Sequence, residues 1–274
     1  MLPADQRARD VAAAIAAKHG SAGRAVLFYG SCLRDEQLDG RMLDFYLIVS
    51  EYRAAYEQRW LAIANALIPP NVFYFENNGL AAKYAVLSEA DFRRLNGPET
   101  SNVSVWARFA QPSRLVWAAD AAAADAVIDS VARAAPTLLA AADPRAGEAS
   151  LDLWRRAFTL TYSAELRAER HARTGAVIDL DLERYDRFTG PALAAARDLR
   201  PRGSWAWRRV QGKMLSIARL SKAAFTFAGG AEYIAWKVNR HAGTNIRLKP
   251  WQRRHPLLAG ISLLPRLLRS GAVH

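Results

Sequence analysis

A glycine and a serine that close one apolar run, and an aspartate inside the next, are the residues of this sequence best suited to handling phosphate. Gly30-Ser31 directly follows Ala25-Val-Leu-Phe-Tyr29, and twelve residues separate Ser31 from Asp44 in Met42-Leu-Asp-Phe-Tyr-Leu-Ile-Val49. A glycine after a strand lets backbone N–H groups approach a triphosphate with no Cβ in the way. The serine hydroxyl adds a donor for the β- or γ-phosphate. A carboxylate on the adjacent strand can hold Mg²⁺ between phosphate oxygens. The plain alternative is a tight turn and an aspartate satisfied by some structural partner.

The elements that must position these residues follow from periodicity and breakers. Ala4 to Lys18 reads as an alanine-rich helix, ended by Gly20 and Gly23. Ala25–Tyr29 and Met42–Val49 read as strands, joined by a polar loop from Arg34 to Arg41. Arg53–Leu67 has helical spacing and stops before Pro69-Pro70. Val72–Phe75 and Lys83–Leu87 read as further strands, and Val103–Phe109 as a strand or a helix start closed by Pro112. Helices follow over Ala121–Ala142 (broken at Pro136), Leu151–His171 and Leu182–Leu199. The expected fold is α+β: a mixed-sheet domain over 1–119, a mostly helical domain over 120–203, and a basic, Trp-rich segment over 204–274.

Charge placement says more than net charge. The chain of 274 residues carries +12, yet residues 201–274 hold 14 Lys and Arg against Glu232 alone, so the first 200 residues are close to neutral. Such a segment calls for an anionic partner, either nucleic acid or an acidic membrane surface. Four of the eight tryptophans (Trp205, Trp207, Trp236 and Trp251) lie there too, which suits a headgroup interface as well as base stacking. Arg253 to Arg269 sets Leu257, Leu258, Ile261, Leu264 and Leu268 at helical spacing among arginines, the pattern of a helix lying in an interface. No apolar run reaches the ~18 residues that span a bilayer, and the single cysteine, Cys32, excludes an internal disulfide. The five histidines show no metal-ligand spacing and read as surface or incidental.

The strand, Gly-Ser, strand, Asp order is the layout of polymerase-β-like nucleotidyltransferases. Beyond it, the chain resembles the mitochondrial-type phosphatidate cytidylyltransferases, the translocator-assembly-and-maintenance family, over roughly residues 24–230. The resemblance is carried by Leu27-Phe-Tyr-Gly-Ser31, Met42-Leu-Asp-Phe45, Pro69-Pro-Asn-Val-Phe-Tyr74, Lys83-Tyr-Ala-Val-Leu-Ser88 and Trp106-Ala-Arg-Phe-Ala-Gln-Pro112. Sparser matches follow at Leu160-Thr-Tyr-Ser163, Glu165-Leu-Arg167 and Ser221-Lys-Ala-Ala-Phe-Thr226. The resemblance implies an enzyme that makes CDP-diacylglycerol from CTP and phosphatidic acid with Mg²⁺, peripheral on the cytoplasmic face of the cell membrane. Carried over by residue, Gly30 and Ser31 are expected as the triphosphate cradle and Asp44 as the Mg²⁺ ligand. Lys83 and Arg108 are expected as phosphate-neutralising cations. Asn71 and Tyr74 are expected to shape the nucleotide pocket, and Lys222 to meet the triphosphate or the lipid phosphate. Arg167 is a further, lesser candidate.

Two departures matter. The family's Gly-Ser usually precedes another glycine, and Cys32 stands there, with a side chain that could narrow the cradle. The general nucleotidyltransferase pattern wants Asp-x-Asp or Asp-x-Glu, but position 46 is Tyr46. A phosphomonoester is already largely dianionic near neutral pH, its second pKa being roughly 6, so it needs no general base. Positioning and charge neutralisation then carry the catalysis. Glu76 and Glu51 are candidates for a second metal carboxylate. The competing readings are a nucleotidyltransferase acting on RNA or another polar acceptor, and a non-enzymatic nucleotide sensor or membrane scaffold. The missing Asp-x-Asp argues against the RNA reading, so nucleic acid is not expected as a partner.

Overall fold

A computed structural model describes residues 5–35, 37–165 and 177–226. In chain order the elements are α1 (Gln6–Ala17), β1 (Gly23–Tyr29), α2 (Ser31–Asp35), β2 (Met42–Val49), α3 (Tyr52–Ala55) and α4 (Arg59–Leu67). They continue with β3 (Asn71–Asn77), β4 (Leu80–Ser88), α5 (Glu89–Asn96), α6 (Trp106–Phe109) and β5 (Ser113–Ala118). The helical part comprises α7 (Ala121–Ala132), α8 (Ala134–Ala142), α9 (Ser150–Ala164), α10 (Leu182–Ala196) and α11 (Trp205–Thr226). The fold is α+β, as expected.

The strands form one mixed sheet in the order β3-β4-β2-β1-β5. Only β2 and β4 run parallel; the other neighbours are antiparallel. The continuous apolar character of β1 and β2 places them inside the sheet with both faces covered. Odd-even alternation then assigns the faces. Val26, Phe28, Leu43, Phe45 and Leu47 pack against Ala8, Val11 and Ile15 of α1. Ala25, Leu27, Tyr29, Tyr46 and Ile48 face α5, α6, α8, α9 and α10, through Phe92, Trp106, Leu138, Trp154 and Tyr185. This second core runs without interruption from the sheet into the helices. Each fully buried large side chain contributes on the order of 1.5–3 kcal/mol. β3 and β4 form a hairpin whose turn is Asn78-Gly79, both at positive φ (49° and 76°), a turn chemistry that matches strand twist.

Several expectations change. The helix expected over 53–67 is two helices, because Tyr56 takes an extended backbone (φ −131°), is buried, and accepts a hydrogen bond from Asn65 Nδ2 at 3.0 Å. The break in the alanine-rich stretch falls at Arg133 rather than Pro136. Pro136 sits in the first turn of α8, where its missing N–H costs nothing. Strand β5, helix α5 and the 22-residue α11 were not anticipated as elements. Ser88, whose Oγ accepts from the Asp91 N–H at 3.2 Å, marks the α5 start. His19 is not incidental: Nδ1 lies 3.0 Å from the Ala55 carbonyl oxygen and Nε2 3.2 Å from the Tyr84 hydroxyl.

Arg156 of α9 grips Glu148 with two hydrogen bonds, Nε to Oε1 at 2.7 Å and Nη2 to Oε2 at 2.6 Å. Those bonds hold the Glu148 carboxyl down to about 2, below its ordinary 4.5. A depressed carboxyl pKa means that the unfolded chain binds the extra proton first. The pair's contribution is therefore complete above about 4.5 and is lost as pH falls toward about 2. Thermal unfolding of Glu148→Gln against pH should show a flatter acid limb than the parent across that window; identical limbs would refute the linkage.

Candidate functional site

One row of residues crosses the entire sheet. The register pairs Tyr74 of β3 with Lys83 of β4, Lys83 with Asp44 of β2, Asp44 with Tyr29 of β1, and Tyr29 with Ser113 of β5. Cross-strand partners share a face, and here it is the face covered by the helical part. Within the row, Lys83 Nζ lies 2.9 Å from Asp44 Oδ1. Both side chains remain partly open, 28% for Lys83 and 19% for Asp44.

Gly30 completes this centre. Its φ is +92°, and a Cβ placed there would lie 2.9 Å from Asp44 Oδ2 and 3.4 Å from Asp44 Cβ. Any side chain would collide with the carboxylate, so the backbone at Gly30 and Asp44 are packed directly together. Ser31 is exposed and opens α2. Cys32 does not narrow the cradle: it is buried with the α1-side core, and its thiol donates to the Met42 carbonyl at 3.4 Å.

Cations gather above this centre. Arg108 of α6 lies over the Tyr29 ring, 4.9 Å from its centroid. Burial works against its charge, but nearby Tyr29, Tyr46, Glu165 and Asp44 outweigh that and hold its pKa above the ordinary arginine value. Tyr46, two residues along β2 from Asp44 and on the same face, packs on Tyr29 and Phe109 at 5.3 and 5.1 Å. Burial pushes its hydroxyl pKa up, while Arg108 and Arg219 pull the other way. So the position of a second nucleotidyltransferase carboxylate is filled by a core tyrosine.

Two functional candidates escaped the sequence reading. Arg219 of α11 donates from Nε to the Pro69 carbonyl at 2.8 Å and from Nη1 to Ser104 Oγ at 3.0 Å. Its Nη2 is buried with no hydrogen-bond partner among the described residues. Glu165, at the end of α9, acts electrostatically on Arg108, Arg219 and Tyr46. It is the second carboxylate whose charge reaches this group. Glu165 opens one of the sparse motif matches but was given no role there, and nothing in the sequence hinted at Arg219.

Other expected residues stand apart. Asn71 is fully buried on the opposite face; its Nδ2 donates to the Leu61 carbonyl at 2.9 Å, and its N–H to Asn65 Oδ1. It fastens α4 to β3 and cannot line a nucleotide pocket. Lys222 is one turn from Arg219, but its ammonium donates to the carbonyls of Ala64, Ile68 and Pro70, capping α4 rather than projecting over Asp44. Burial and the Arg219 charge push its pKa down to about 7. Tyr74 is 38% exposed, with its hydroxyl donating to Glu76 at 3.0 Å, so it and Glu76 occupy the open edge of the row. Glu51 lies past the far end of β2, seven residues from Asp44, or roughly 23 Å at ~3.3 Å per residue. It is removed as a partner carboxylate. Arg167 and the segment 253–269 lie outside the described residues.

No family model matches the chain, and no curated protein matches it. Among solved structures, a nucleotidyltransferase-like protein from Exiguobacterium sibiricum 255-15 aligns with 97% of this chain and 91% of its own length. The TM-score is 0.29 and the identity 10%, too loose a likeness to bear on the chemistry.

The chemistry must come from the site itself. Lys83, Arg108 and Arg219 outnumber Asp44 and Glu165 in a group that is partly buried, which favours a polyanion. Among the described residues no three His, Cys, Asp or Glu side chains group to hold a metal alone.

Proposed function

We propose that the chain is a nucleotidyltransferase that transfers CMP from CTP to the phosphate of phosphatidic acid. The supporting observation is the Gly30–Asp44–Lys83 centre: a carboxylate against bare backbone, paired to a lysine at 2.9 Å, under Arg108. A phosphate oxygen of the acceptor attacks the α-phosphorus of CTP, and the bond to the α,β-bridging oxygen breaks. Pyrophosphate leaves with that oxygen, and the product is CDP-diacylglycerol. Lys83, Arg108 and Arg219 neutralise the charge that gathers on the phosphates. Sites for Mg²⁺ commonly use one or two carboxylates plus substrate phosphates, and Asp44 would be the carboxylate that holds it here. When bound, the ion would supply further charge neutralisation at the triphosphate.

Tyr46 favours a phosphate acceptor over an RNA hydroxyl. A hydroxyl must be activated by loss of a proton, and the position of the second carboxylate that would help activate it holds a buried ring. The choice of CTP and of a diacylglycerol tail rests on the sequence resemblance, as does a location at the cytoplasmic face of the membrane. Pyrophosphate release should be followed for each ribonucleoside triphosphate, with and without vesicles containing phosphatidic acid. The reading expects release that requires the lipid and prefers CTP. Release driven instead by RNA, or by no acceptor at all, would overturn it.

A further inference from the structure

The outward face of α11 carries an apolar row that nothing in the described structure covers. Trp207, Val210, Met214, Ile217 and Leu220 recur at three- and four-residue spacing, and each is more than half exposed. The opposite face of α11 is the one that holds the protein: Gly212 lies against Ala164, and Arg219 and Lys222 reach the α4–β3 turn. α4 has its own outward apolar row, Trp60, Ile63 and Leu67, the last 74% exposed. The two helices are tied together where Lys222 meets the Ile68 carbonyl, next to Leu67.

Charge accompanies the apolar rows. The 22 residues of α11 contain five Lys and Arg and no acidic residue, and Arg209 and Lys213 are exposed beside the row. The only charged residue of α4 is Arg59, also exposed. Monomeric soluble proteins rarely leave such rows open without a partner. A second copy docked through antiparallel α11 helices would put the Arg209 and Lys213 flanks of both copies on one side of the seam, a like-charge juxtaposition that opposes association. Apolar residues at helical spacing, flanked by cations and carrying Trp, suit the headgroup and acyl boundary of a bilayer.

We infer that α11, together with the adjoining row on α4, is a docking surface for an anionic lipid bilayer. The choice of a bilayer as occupant rests on the lipid-phosphate reading above; the rows themselves do not. Arg219, from the buried side of α11, reaches Ser104 and the Pro69 turn, so the helix that meets the membrane also carries a cation of the candidate site.

The test is flotation of the full chain with vesicles of phosphatidylcholine alone and of phosphatidylcholine with phosphatidylglycerol. The parent chain should float with the anionic vesicles, and Met214→Glu/Ile217→Glu should weaken that binding at least tenfold. Arg209→Glu/Lys213→Glu should erase the preference for anionic lipid while leaving the circular dichroism spectrum unchanged. CMP transfer to a short-chain, water-soluble phosphatidic acid should survive in the Met214→Glu/Ile217→Glu variant, since those side chains lie away from Asp44. Absence of that transfer in the parent would sink the functional reading and leave the vesicle result standing. Equal flotation of parent and Met214→Glu/Ile217→Glu, or no flotation of the parent, overturns the docking surface. A parent dimer that this variant converts to a monomer would overturn it in favour of a second copy.

Discussion

Asp44→Asn should lower the turnover of CTP by on the order of 10²–10³-fold or more, in line with the loss of one preorganised electrostatic partner at a reacting phosphate. The substitution keeps the size of the side chain, so the close packing with Gly30 is retained. It removes a negative charge 2.9 Å from the Lys83 ammonium. Affinity for CTP without divalent metal should therefore hold or tighten, because Lys83 is no longer partly neutralised. Turnover and metal-free affinity moving in opposite directions is a signature that a purely structural role would not give. Steady-state kinetics together with calorimetric CTP binding in a chelator would read both. Parallel loss of binding and turnover would show that Asp44 only shapes the fold.

Gly212→Ala should destabilise the chain, although alanine is the better helix former. In an open helix interior the change gains up to about 1 kcal/mol. Here the added Cβ would lie 2.0 Å from the Ala164 carbonyl oxygen, a backbone atom at the end of α9 that cannot swing aside. Forcing two packed helices apart costs typically ~1–3 kcal/mol, occasionally more, so overpacking wins over propensity. Urea unfolding decides the matter; a Gly212→Ala protein as stable as the parent would mean that α9 and α11 do not cross so closely. Because α11 carries Arg219, the Gly212 variant should also lose activity.

The sheet centre was legible in the sequence because it is local. Gly30-Ser31 ends a strand and Asp44 lies on the next, so hairpin-like proximity follows from chain order alone. Lys83 could be placed on a strand, but its pairing with Asp44 depends on the parallel register of β2 and β4, which no short window encodes. Strand parity held one warning about the pocket residues. Asn71 and Tyr74 are three apart on a single strand and so cannot share a face. Asn71 duly lies in the opposite core. Arg219 and Glu165 were beyond reach for a different reason: they come from helices far along the chain and meet the sheet only through tertiary packing. Cys32 seemed to threaten the cradle because sequence proximity hides direction. The turn into α2 sends its thiol to the Met42 carbonyl, away from Asp44.

The most direct test of the central claim follows the α-phosphate itself. CTP labelled at the α-phosphorus, incubated with Mg²⁺ and vesicles containing phosphatidic acid, should pass its label into the lipid-extractable phase with the parent chain. With Asp44→Asn the transfer should fall by at least on the order of 10²-fold. Label that never leaves the aqueous phase, or transfer that Asp44→Asn leaves intact, would contradict a CMP transfer centred on Asp44.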